Sequence, residues 1–146
     1  MHRFELRVRY GDTDQMGFAY YANYLRWFEI GRAEMLRALG TSYHAVEQAG
    51  LSLPVFEAWC RYREPARYDD LIAVETGIAH LGRASVRFGY RIVREGTPAP
   101  LAIGSTEHCF MTREGKPTRP SMRLATLLAQ SPVIPDELAV LLPARR

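Results

Sequence analysis

Arg9-Tyr-Gly-Asp12-Thr-Asp14-Gln-Met-Gly17-Phe-Ala-Tyr-Tyr21-Ala-Asn23-Tyr-Leu-Arg-Trp-Phe-Glu29 is the stretch on which the reading of this chain turns. Leading into it, Phe4, Leu6, Val8 and Tyr10 alternate with Arg3, Glu5, Arg7 and Arg9, the period of a half-buried strand. The strand signal ends in two acids, Asp12 and Asp14. Gly17 and a run of aromatics follow, and from Tyr21 the apolar spacing lengthens to that of a helix. A carboxylate thus stands just ahead of a helix N-terminus. That pairing suits acyl transfer without Ser, His or metal, because the carboxylate acts on water or attacks directly while helix N–H groups hold a developing oxyanion.

Working outward, Tyr24, Leu25, Phe28, Met35, Leu36 and Leu39 form one apolar stripe, which predicts a helix over Tyr21 to Leu39. On its wetter side Arg26 with Glu29, Glu29 with Arg32, and Glu34 with Arg37 are spaced as i,i+3 pairs. Gly40 ends this helix, and Thr41 or Ser42 caps a short one that stops at Gly50. The rest reads mainly as strands: Leu53 to Arg63, Leu71 to His80, Ala84 to Arg94 and Leu101 to Met111. The breaks between them are Pro65 to Asp70, Leu81-Gly-Arg83 and Glu95 to Pro100, and Arg113 to Pro117 ends the last strand. Ser121 caps a helix from Met122 to Gln130, and Asp136 to Leu142 adds a last turn or two. One long helix followed by consecutive antiparallel strands is an α+β pattern, and a sheet wrapped around that helix is the hotdog arrangement.

The 146 residues make one domain, spanning 1–146, with no repeat or linker. Net charge is +3, arginines are scattered among acids, and Lys116 is the single lysine, so nucleic acid is not an expected partner while an anionic small molecule is. No apolar run approaches a membrane span and the start does not read as a signal peptide, so a cytoplasmic protein is expected. Cys60 and Cys109 read as reduced packing residues. There is no Gly-x-Ser-x-Gly elbow, no Gly-rich phosphate loop, and no histidine close to Cys60 in sequence. Adjacent His108 and Cys109 would face opposite sides of a strand, so no metal site is expected there.

If the segment between Asp12 and Asp14 is extended, both acids lie on one side, one more buried than the other, and their protonation behaviour separates. Asn23, the only Asn, falls in the first helical turn, where its amide caps the helix or orients a water.

Asp12-Thr-Asp14 with Gly17, Tyr21, Asn23-Tyr24, Phe28-Glu29, Arg32 and Gly40 resembles the N-terminal signature of the hotdog-fold acyl-CoA thioesterases of the 4-hydroxybenzoyl-CoA thioesterase type. It is especially similar to the bacterial branch associated with the Tol–Pal region, whose later features correspond to Pro65 to Asp70 and Gly82 to Ser85. The resemblance implies that Asp14 is the catalytic nucleophile or general base, that the backbone N–H of Tyr21 polarises the thioester carbonyl, and that Gly17 lets the chain turn close to the acyl group. It departs at Tyr21, where that branch carries a His; a phenol with a pKa of about 10 is no general base near neutral pH. For coenzyme A, the residue types nominate Arg83 and Arg67 for the phosphates and Ser85 for the pantetheine. The family further implies acyl-CoA as substrate, no cofactor or metal, and a homodimer or homotetramer with active sites between protomers. A carrier-protein thioesterase and a non-catalytic acyl-CoA binder remain open on the same fold.

Overall fold

The computed structural model describes residues 1–144. Strands β1 (His2–Arg7), β4 (Leu71–Leu81), β5 (Ser85–Arg94), β6 (Pro100–Cys109) and β3 (Val55–Tyr62) form one antiparallel sheet in the order β1-β4-β5-β6-β3. Helix α1 (Asn23–Ala38) lies on one face of it, followed by α2 (Tyr43–Gln48). A small second ladder, absent from the sequence reading, joins β2 (Leu51–Ser52) to β7 (Met111–Thr112). Among the described residues two further helices follow, α3 (Met122–Ala129) and α4 (Asp136–Ala139).

Side-chain alternation decides which sheet face meets α1. Ile72 and Val74 of β4, Val86, Phe88, Tyr90 and Ile92 of β5, and Ala102 of β6 join Tyr24, Trp27, Phe28, Met35 and Leu36 of α1 in one core. Phe28 stacks on Tyr90 with centroids 4.4 Å apart. The close seat of α1 depends on Gly104, where an added Cβ would fall 2.4 Å from the Phe28 ring. On the opposite face the C-terminal segment returns across β4: Ile78 donates to Pro132 O at 2.8 Å, and Ile134 donates to Ile78 O at 3.1 Å.

Arg32 departs from its expected place. It is buried, and among the described residues neither Arg26–Glu29 nor Glu29–Arg32 forms an ion pair; only Glu34–Arg37 does. The Arg32 guanidinium donates to Tyr43 Oη and, at 3.1 Å, to Tyr90 Oη. Tyr90 Oη is 2.7 Å from Thr106 Oγ1, which is 2.9 Å from His108 Nε2, and His108 Nδ1 is 2.9 Å from Leu53 O. Guanidinium only donates and a carbonyl only accepts, so the chain runs one way: Arg32 to Tyr90 to Thr106 to His108 to Leu53. This requires neutral His108 with its proton on Nδ1. Burial, with the Arg32 charge adding to it, pushes the imidazole down to about 4.

Candidate active site

The site is built around the loop from Arg9 to Asn23. Tyr10–Asp12 is a 3₁₀ turn, so the extended arrangement that would put both acids on one side does not form. Asp12 turns inward and is buried. Its carboxylate accepts from the Arg9 backbone N–H at 2.9 Å and from Arg9 Nη2 at 3.0 Å. Burial works to raise the Asp12 carboxyl, but the Arg9 guanidinium and backbone N–H outweigh it and hold the group below the usual carboxylate range. Asp12 is therefore an anchor.

Asp14 sits two residues on, half-buried, in a tight excursion closed by the Thr13–Ala19 bridge. Its backbone N–H donates to Phe18 O at 3.0 Å, and Gly17 N–H donates back to Asp14 O at 3.0 Å. Gly17 adopts φ +79°, a left-handed conformation that suits glycine, and the chain turns there. Asp14 Oδ1 accepts from Met16 N–H at 2.8 Å, and among the described residues no donor takes Oδ2. The Asp14 charge acts on the Tyr20 phenol, whose pKa is raised mainly by its hydrogen bond to Tyr21 and in smaller part by Asp14.

The chain then enters α1 through a turn in which Asn23 N–H donates to Tyr20 O at 2.9 Å. Tyr20 N–H is taken by Asp12 O at 2.8 Å, but among the described residues no acceptor takes the backbone N–H of Tyr21 or of Ala22. These two donors precede a 16-residue helix and add to its positive end. Tyr21, with Phe18, Tyr24, Tyr62 and Arg63, lines a groove of about 350 Å³. Asn23 neither caps α1 nor lines this groove: the cap position is Ala22, and the buried Asn23 amide donates to Asp12 O at 2.8 Å. It ties the loop to the helix.

The structure separates the other named residues. Arg67 is exposed in the loop leading into β4, where its N–H donates to Asp70 Oδ2 at 2.8 Å. Arg83 and Ser85 lie at the far end of the sheet, beyond the 11 residues of β4. At ~3.3 Å per residue this strand alone spans about 33 Å, so Arg83 does not reach Asp14 of its own protomer. It lines a second groove of about 380 Å³ with Leu81, Gly82, Arg119 and Pro120. Sequence does not single out Arg119, because it lies 36 positions after Arg83 and only the fold sets both along one groove. Among the described residues no group of three His, Cys, Asp or Glu side chains is placed to hold a metal ion.

Residues 8–142 match the family model of the thioesterase-like superfamily. The chain belongs to that superfamily. The acyl-CoA thioesterase YbgC of Haemophilus influenzae is 38% identical over 92 residues, 62% of this chain and 68% of that protein. Among solved structures, a hypothetical protein from Thermus thermophilus superposes with a TM-score of 0.83 at 32% identity, covering 88% of this chain and 98% of its own. A DHNA-CoA thioesterase from Staphylococcus aureus gives a TM-score of 0.79 at 30% identity, covering 88% of this chain and 89% of its own. The fold of this thioesterase is the hotdog fold, α+β with one long helix against an antiparallel sheet. No helix among the described residues is long and apolar enough to cross a membrane.

Proposed function

We propose that this thioesterase hydrolyses acyl-CoA to free acid and coenzyme A, with Asp14 as its catalytic carboxylate. The observation that carries this reading is one short loop with Asp14 at one end, whose Oδ2 no donor takes among the described residues, and at the other the N–H groups of Tyr21 and Ala22, which no acceptor takes among them. The name of the Haemophilus relative supports the coenzyme A ester as substrate. In the general-base form, water gives its proton to Asp14 while its oxygen adds to the carbonyl carbon. The Tyr21 N–H holds the oxyanion, the C–S bond breaks, and the thiolate leaves and takes up a proton. In the nucleophilic form Asp14 attacks first and the mixed anhydride is then hydrolysed. Neither route calls on a metal or prosthetic group.

The reading is completed by a dimer. Strand β3 is the last in the sheet, with Val55 48% and Phe56 60% exposed along it. Antiparallel pairing of two β3 edges about a two-fold axis continues the sheet and exchanges its ends. Arg83 and Arg119 of the partner subunit then come to the end that carries Asp14, where they take the phosphates of coenzyme A.

A panel of acyl-CoA esters assayed by free-thiol release tests the activity. Asp14→Asn is expected to stay folded and dimeric while turnover drops at least ~100-fold. Wild-type turnover in that variant rules out Asp14 as the catalytic group.

A further inference from the structure

The geometry points to Tyr62 as a positioning residue for the oxyanion site, acting through the Tyr21–Ala22 peptide so that the Ala22 N–H serves as a second donor. The assignment rests on the thioesterase reading above. Tyr62 is the last residue of β3, yet its ring packs edge-on against Tyr24 of α1 at 5.0 Å. This brings its hydroxyl to the backbone of the helix entry, where it donates to Tyr21 O at 3.0 Å. The only other donor to that carbonyl among the described residues is Tyr24 N–H, at a long 3.3 Å.

A peptide unit is planar and trans, so fixing its carbonyl fixes the opposed N–H of the next residue. The carbonyl of Tyr21 and the N–H of Ala22 belong to one such unit. The phenol therefore sets the direction of the Ala22 N–H, which no other group among the described residues engages. A hydrogen bond at the carbonyl also draws electron density away from the amide and strengthens the N–H as a donor, by about 10–30% per bond. A phenol with an ordinary pKa of about 10 holds its proton near neutral pH, so the Tyr62 hydroxyl is available to donate. Tyr62 lines the same groove as Tyr21. The edge strand thereby reaches the chemistry of its own protomer through one hydroxyl.

Tyr62→Phe keeps the ring and removes only the donor. Steady-state kinetics should show kcat reduced about 3- to 10-fold with KM unchanged. The companion measurement uses a non-hydrolysable ketone analogue of acyl-CoA, in which CH₂ replaces the thioester sulfur, with a ¹³C-labelled carbonyl. Its bound carbonyl stretch should move to higher frequency in Tyr62→Phe, because one donor to that oxygen is weakened. A merely structural role would lower Tm without moving the band. Unchanged kcat, a change confined to KM, or an unmoved band overturns the assignment while leaving the thioesterase reading intact. Wild-type protein that releases no thiol from any ester brings down that reading, and this assignment with it.

Discussion

The side-chain amide of Asn23 donates to the backbone carbonyl of Asp12 at 2.8 Å, joining two points 11 residues apart on either side of Asp14. One end of the loop that carries Asp14 is thereby fixed to the first turn of α1. Asn23→Ala should cost about 1 kcal/mol of stability, the net value of one such bond. It should cost about 10-fold or more in kcat, because a loop freed by even ~1 Å misplaces the carboxylate. Asn23→Asp should be worse, since it sets a second acceptor against the Asp12 carbonyl. Kinetics and urea unfolding on the two variants check the order; equal activity in all three proteins would show the bond to be dispensable.

The distance between Arg83 and Asp14 within one protomer makes a second expectation. Arg83→Ala should raise KM for acyl-CoA with little change in kcat, because phosphate contacts persist into the transition state. In a mixed dimer of Asp14→Asn and Arg83→Ala subunits, a shared site leaves one pocket with both residues intact. Co-expressed, differently tagged subunits should therefore recover a population with wild-type KM and about half the wild-type kcat. Absence of that population would place Arg83 outside the site.

Stability should fall on mild acidification because of His108. Its pKa is near 6.5 unfolded and about 4 folded, so the unfolded chain binds the proton more readily. The contribution is complete above about 6.5, is lost as pH falls towards 4, and amounts to about 3 kcal/mol across that window. A protonated imidazole would also reverse the one-way hydrogen-bond chain from Arg32, which has no acceptor for an extra proton. Urea midpoints measured between pH 7.5 and 4.5 should decline in the wild type and less so in His108→Gln. Parallel curves would remove His108 as the cause.

Gly104→Ala should destabilise the protein by about 1–3 kcal/mol through overpacking. The new methyl would meet the Phe28 ring at 2.4 Å and the Trp59 carbonyl at 2.7 Å, and Phe28 is itself held by its stack on Tyr90. A shift in urea midpoint with an unaltered slope is the expected signature.

Periodicity along the chain determined the elements of this thioesterase. The strand ahead of Asp12, the helix through Trp27 and Phe28, the Ser42 and Ser121 caps and four later strands all follow from local spacing and turn chemistry, which a sequence displays directly. The Asp12–Gly17–Asn23 signature likewise marked the loop on which the proposed site is built. Tertiary structure alone decided how the parts of that loop divide the work. Asp12 became an anchor because the 3₁₀ turn at Tyr10 rotates it inward, and Asn23 became a tie because the loop folds its carbonyl into reach. Arg32 looked like a surface charge from its i,i+3 neighbours, yet hydroxyls from α2 and β5 converge on it in the core. Arg83 and Arg119 line one groove only through the fold, and Arg83 parts from Asp14 because β4 carries the chain along the sheet. Such roles depend on which distant groups arrive at one point, and spacing along a chain does not encode that.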